Sequence, residues 1–269
     1  MNRSKLFIGI FIAFLLIVIT VVLLVCTVFV VREVVIEKEV NSALIDDDNI
    51  IESSGLSIGK SIISINKDKV KASVEKENPY VEVLNITRVF PNKIIINVTV
   101  RTGIMVVSSA DGSYKALVDS GMKVLNVLPA DSTLSVDATI VSGADFLIPE
   151  NGAESLVGSI LTLSDTSYDA IFTQFADFIE SFDLEGKSFT TLFKEISFRN
   201  TESGTLVLIR TNKGVSLVLD TSLTSSIKYQ LYACMYYYTT DKEVNIDRTK
   251  GYIAFDRTRN SYNWLESLD

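Results

Sequence analysis

Hydrophobic and polar positions alternate most regularly between Lys93 and Arg101. Ile94, Ile96, Val98 and Val100 fall on one side, and Lys93, Asn97, Thr99 and Arg101 fall mostly on the other. Strand side chains point to opposite faces with a period of two, so this arm predicts a strand with one face on a core and one in water. Phe90-Pro91-Asn92-Lys93 supplies a turn before it, and residues 78–101 together read as a β-hairpin. Upstream, Val31 to Val40 is rich in Val and Glu and reads as a strand. Asp46-Asp47-Asp48 precedes Ile50 and Ile51 with Gly55 closing, the pattern of a short helix with acids in its first turn. Three adjacent acids also suggest calcium, but the alternating ligands and Gly of a calcium loop are missing. Asn66 is placed to cap a second helix, Lys67 to Glu77, with Val70 and Val74 on one face, and Asn78-Pro79 ends it. The order is strand, helix, helix, strand, strand.

Ahead of this unit, Leu6 to Val31 carries no charge. As a helix at ~1.5 Å per residue it is about 39 Å long, more than the ~30 Å hydrocarbon core requires, so it spans with tilt or its last residues leave the bilayer and begin the next element. A cleaved leader needs a small-x-small site, which Val28-Phe29-Val30 does not offer. Bulky Val25 before Cys26 spoils a lipoprotein cleavage box, and Cys26 reads as a small apolar helix residue. Arg3 and Lys5 precede the run and no acid does. The positive-inside rule therefore puts the N-terminus in the cytoplasm and the bulk of the chain outside.

Beyond Arg101, short strands are expected at 104–108, 114–119 and 122–127, with turns at Asp111-Gly112 and Ser120-Gly121. A looser stretch follows from Leu128 to about Asn151. Tyr168 to Phe182 repeats Ile171, Phe172, Phe175, Phe178, Ile179 and Phe182 at helical spacing, a stripe that serves a core or lines a ligand groove. Strands are expected at 192–198, 205–210 and 215–219, a helix at about 223–239 burying Ile227, Leu231, Cys234 and Tyr238, and last strands at Val244–Ile246 and Gly251–Arg257.

The chain has 33 acidic and 25 basic residues, a net charge of −8, which argues against nucleic acid as a partner. Cys234 is the one cysteine beyond the apolar run, so no intrachain disulfide staples that part, and the thiol reads as buried and inert. The absence of histidine removes Ser-His-Asp and Cys-His catalysis and His-ligated zinc. No phosphate-cradling glycine motif occurs. Ser-x-x-Lys, the nucleophile motif of penicillin-binding enzymes, occurs at Ser57/Lys60, Ser64/Lys67, Ser73/Lys76, Ser120/Lys123 and Ser225/Lys228 without its partner motifs, as chance allows. No catalytic, cofactor-binding or metal-binding residue is expected.

Gly55-Leu56-Ser57-Ile58-Gly59 with Ile63 and Ile65, then Asn78-Pro79-Tyr80-Val81, Arg88-Val89-Phe90-Pro91-Asn92 and Ile94-Ile95-Ile96-Asn97-Val98 resemble the POTRA domain of the FtsQ/DivIB family of bacterial cell-division proteins, with Phe90 where the family usually has Trp. Tyr114 to Gly121, and Ile246-Asp247 through Gly251-Tyr252, resemble segments of its second, β-rich domain. The resemblance implies an α+β chain: a cytoplasmic tail (1–5), a transmembrane helix (6–31) in contact with lipid, a β-α-α-β-β POTRA domain (32–102) and a larger mixed β domain with helices (103–269). It implies a non-enzymatic scaffold at the division septum, without cofactors. Its partners would be FtsL-like and FtsB/DivIC-like bitopic coiled-coil proteins, and it would control septal peptidoglycan synthesis. The family's partner adds a strand to a sheet edge near the end of the β domain, which maps onto Gly251, Tyr252, Ile253, Ala254 and Phe255. Two other readings stand beside it: a membrane-anchored envelope enzyme, and a POTRA-bearing secretion or assembly factor.

Overall fold

The alternating arm forms the middle strand of a three-stranded sheet. In the structure, a computed structural model that describes residues 3–133, 136–181, 188–239, 247–257 and 259–268, the chain divides into two compact units, 1–101 and 102–269. The first contains α1 (Arg3–Thr27), β1 (Glu33–Lys38), α2 (Asp47–Ser53), α3 (Lys67–Glu77), β2 (Val81–Val89) and β3 (Lys93–Val100). The sheet order is β1-β3-β2, with β1 parallel and β2 antiparallel to β3. Ile94, Ile96 and Val98 of β3 are fully buried and pack with Val81, Val83 and Ile86 of β2 and with Ile50, Val70 and Val74 of the helices. The expected order of elements is thus the observed one.

The caps explain where the helices start and stop. Asp46 accepts from the amides of Asp48 (3.0 Å) and Asn49 (3.3 Å), so the acidic run starts a helix. Asn66 accepts from the Lys69 amide at 3.0 Å, and the Asn78 amide donates to Val74 O at the other end of α3. The Phe90–Pro91 peptide in the hairpin turn is cis.

One expectation about the chain before β1 is corrected. The helix ends at Thr27, not Val31, because the next residues are stitched to the loop after α2. Ile62 N donates to Phe29 O at 3.0 Å, Val31 N to Lys60 O at 2.8 Å and Gly59 N to Val31 O at 2.9 Å. Val31 is fully buried in the core of the first unit. Moreover, among the described residues no helix is long and apolar enough to cross a membrane.

The second unit is built on one mixed sheet. Its described strands are β4 (Met105–Ser109), β5 (Tyr114–Val118), β6 (Val124–Pro129), β7 (Thr139–Phe146), β8 (Phe193–Thr201), β9 (Gly204–Thr211), β10 (Ser216–Asp220), β11 (Tyr252–Asp256) and β12 (Ser261–Leu265), with helices α4 (Asp169–Ser181), α5 (Phe189–Leu192) and α6 (Ile227–Thr239). The order is β12-β11-β10-β9-β8-β7-β4-β5-β6. Helices α4 and α6 pack on it, and the phenylalanine stripe is core: Phe172, Phe175 and Phe178 are buried, with Phe172 against Phe198 (centroids 5.4 Å) and Phe178 against Tyr232 (5.0 Å). Phe182 and the expected strand Val244–Ile246 lie outside the described residues.

The stretch expected to be loose from 128 to 151 instead holds a central strand. β7 lies between β4 and β8, parallel to both. Its alternation is hidden by a bulge: Val107 pairs with Val141 but Ser108 with Asp145. Gly143, in the bulge, has φ +77°, and a Cβ there would stand 2.3 Å from Phe198 O.

Candidate functional site

Binding by strand addition needs a strand whose main chain is unpaired on one side. Tyr252–Phe255 does not provide it, which corrects the expectation that this segment is the free edge. β11 is flanked on one side by β10, parallel, through Ser216/Tyr252 and Leu217/Ile253. On the other side lies β12, antiparallel, from Tyr252/Leu265 to Asp256/Ser261. Ile253 and Ala254 are buried in the core, while Tyr252 and Phe255 are half-buried. Gly251 has φ +78°; its carbonyl accepts from Ser216 N at 3.0 Å, and a Cβ there would meet Leu265 O at 2.7 Å. Gly251 stands at the open end of the β11–β12 hairpin, away from its turn, and is half-buried.

Among the described residues the large sheet ends at β6 on one side and at β12, next to the expected segment, on the other. The signal of β12 in the sequence is short: Asn260, at φ +50°, turns the chain, and Ser261-Tyr262-Asn263-Trp264-Leu265 alternates polar and apolar. Trp264 fixes the strand, because its indole Nε1 donates to Asp247 O (3.2 Å) and Lys250 O (3.1 Å). That turn is itself braced by Asp247, whose carboxylate accepts from the Thr249 hydroxyl (2.6 Å) and amide (2.9 Å). These bonds, the hydroxyl's first, hold its pKa below the usual carboxylate value. Arg257 and Arg259 are engaged within the chain: Arg257 donates to Asp220 (3.2 Å) and Ser222 (2.9 Å), and Arg259 lies 3.6 Å from Asp256.

A groove of about 870 Å³ lies beside β12, against α6. Tyr229, Tyr232, Tyr236, Phe255 and Tyr262 supply its aromatic walls, and none of its lining residues is charged. Phe255 and Tyr262 meet edge to face at 5.4 Å. The Tyr262 hydroxyl is buried. Ser225 approaches it without a well-formed hydrogen bond, and burial, the leading cause, pushes its pKa well up. Behind the sheet, Gln230 of α6 is fully buried. It accepts from Asp220 N (2.7 Å) and donates to Asp220 O (2.9 Å), taking the place of a strand neighbour where β10 and β11 part. Cys234 is buried and burial drives its thiol pKa far up, so it stays protonated and unreactive.

The described residues hold no cluster of three or more potential metal ligands. The Ser57/Lys60 pair falls in an exposed loop, with Lys60 Nζ bound to Gly55 O at 3.1 Å. In the first unit the notable polar site is Glu75, which is buried, accepts from Val83 N at 3.0 Å and lies 3.0 Å from Arg101 Nη2.

Comparison with known families bears on the first unit. Residues 29–101, the strand-helix-helix-strand-strand unit with the stitched segment that leads into it, match the model of the POTRA domain, FtsQ-type. The chain carries an FtsQ-type POTRA domain. The match covers roughly a quarter of the chain and supports an FtsQ/DivIB-family protein, a family generally without enzymatic activity. No curated protein matches the chain. The POTRA match begins at Phe29, ahead of the expected boundary at residue 32, which agrees with the burial of Val31 in the domain core.

Proposed function

We propose that the chain is a non-enzymatic, single-pass scaffold of the bacterial division machinery. In this reading Leu6 to Thr27 anchors it in the cytoplasmic membrane with the N-terminus inside. The POTRA domain and the large β unit then work outside, at the septum, where the chain binds FtsL-like and FtsB/DivIC-like bitopic proteins and thereby influences septal wall synthesis. The observation that carries the reading is the FtsQ-type POTRA domain directly after a helix that is uncharged from Leu6 to its end. Among the described residues no strand pairs with the far side of β12, which supports the partner-binding part of it. A strand edge offers a row of N–H and C=O groups, and the uncharged tyrosine groove beside this edge suits apolar side chains of an added strand. The candidate segment Gly251–Phe255 then contributes from behind, as the strand that holds β12 in register.

The test is a fluorescent fusion in dividing cells, combined with amide hydrogen exchange on the purified chain mixed with the FtsB/DivIC-like partner's extracytoplasmic part. Septal enrichment and new protection at Ser261–Leu265 are expected. An even membrane distribution in dividing cells rejects the division role. Septal enrichment without new protection on β12 keeps the division role and rejects strand addition at this edge.

A further inference from the structure

The described surface of the POTRA domain exposes large apolar side chains, and several of them gather where α1 ends. Ile58 is 77% exposed, Phe90 57% and Ile63 51%. They come from two loops distant in sequence, the one after α2 and the β2–β3 turn. Both loops are tied to the few residues that follow Thr27. Ile62, next to Ile63, donates its amide to Phe29 O at 3.0 Å, and Val30 bridges to Ser61 in antiparallel fashion. Gly59, next to Ile58, donates to Val31 O at 2.9 Å. From the other side, the Arg32 amide donates to Asn92 O at 2.8 Å, and the ring of Phe90 meets that of Phe29 edge to face at 5.8 Å. The α1 end, the Ile58–Ile63 loop and the Phe90 turn are therefore held together by main-chain bonds and not merely near one another along the chain.

Single exposed apolar residues on a soluble surface are ordinary, but this group is tied to residues two to five positions beyond the end of a helix that is uncharged from Leu6 on. The cations beside it have the matching chemistry. Arg32 and Lys60 are exposed at the same end, and Arg32 also donates from Nη2 to Thr27 O, the last residue of α1, at 3.4 Å. Apolar and aromatic side chains beside Lys and Arg are what an anionic phospholipid interface accepts: rings and aliphatic groups enter the headgroup–acyl boundary, and cations meet phosphates.

We infer that this end of the POTRA domain, centred on Ile63 and Phe90 with Ile58 at its rim, seats in the outer interface of an anionic bilayer. The inference rests on the reading of α1 as a membrane anchor. It goes beyond that reading in assigning the domain a fixed, membrane-seated orientation in place of free swivelling on a tether. Leu44 marks the contrast. It is also exposed, at 54%, but follows β1, which runs away from the α1 end for six residues, about 20 Å of strand.

The test uses the full chain in vesicles of phosphatidylglycerol and phosphatidylethanolamine, with and without brominated acyl chains, and compares the emission added by Phe90→Trp, Leu44→Trp and Phe14→Trp over the wild-type signal of Trp264. The expected result is that Phe14→Trp and Phe90→Trp lose most of their added emission in brominated vesicles, with Phe90→Trp also blue-shifted, while Leu44→Trp is spared. Quenching of Phe14→Trp with Phe90→Trp spared overturns the seated domain and leaves the anchor in place. Equal quenching of Phe90→Trp and Leu44→Trp overturns the assigned end. If Phe14→Trp is spared, the anchor reading fails and this inference fails with it.

Discussion

The Glu75 carboxylate lies 3.0 Å from the Arg101 guanidinium, and Glu75 is buried in the POTRA domain. The same oxygen accepts the Val83 amide at 3.0 Å, so one side chain of α3 holds both β2 and the last residue of the domain. Lys71 stands 3.7 Å away on the helix, one turn before. A buried carboxylate persists only where such partners compensate its desolvation.

Removing the guanidinium is therefore expected to cost more than removing the negative charge. Arg101→Ala takes the guanidinium away from the buried carboxylate, and at most about 3–5 kcal/mol is expected to be lost. Glu75→Gln keeps an acceptor for Val83 and is expected to cost less. Denaturant titration of the full chain followed by circular dichroism measures both, and equal losses would count against this account.

If a partner strand joins β12, a proline scan of Ser261–Leu265 should divide by parity. In an antiparallel strand alternate amides face the neighbour and the open side. Prolines at open-side amides are expected to abolish partner binding while the β11–β12 hairpin keeps its exchange protection. Prolines at inward amides should weaken both. Binding that ignores all five positions would remove β12 from the interface.

Gly143 occupies a left-handed position in the bulge of the central strand β7, with Phe198 O where a side chain would begin. Gly143→Ala is expected to cost about 1–3 kcal/mol from backbone strain alone, with the clash added. The melting temperature reads this directly. An unchanged value would mean that the bulge is not fixed by this residue.

Cys234 links stability to alkaline pH. Burial raises its folded pKa above that of an unfolded thiol, ~8.5. Below that value both states hold the proton and nothing is lost. Above it the unfolded chain ionises first, and stability falls by about 1.4 kcal/mol per pH unit until the folded thiol titrates. Cys234→Ala is expected to lessen the fall of the denaturation midpoint above about pH 8.5, while the raised Tyr80 and Tyr262 keep part of that fall as pH approaches 10. In the native protein Cys234 is expected to resist maleimide labelling until it unfolds.

How much was legible depends on how local each signal is. The hairpin arm, the Asp46 and Asn66 caps and the phenylalanine stripe of α4 follow from neighbouring residues, and the structure places them accordingly. β7 was hidden because a bulge at Gly143 shifts its alternation partway along. The end of α1 at Thr27 was equally hidden. Val28 to Val31 is as apolar as the helix before it, and only pairing with the Gly59–Ile62 loop pulls those residues into the domain core.

By itself the sequence determined the POTRA element order, the caps, the acidic balance and the absence of histidine chemistry, because each is a property of residue type and short spacing. The tertiary structure alone decided which strand is the edge. Tyr252–Asp256 and Ser261–Leu265 are both short, half-apolar segments, and nothing within either says which has a neighbour on both sides. That is set by the hydrogen bonds of β10 to one and not the other, a contact between residues more than thirty positions apart.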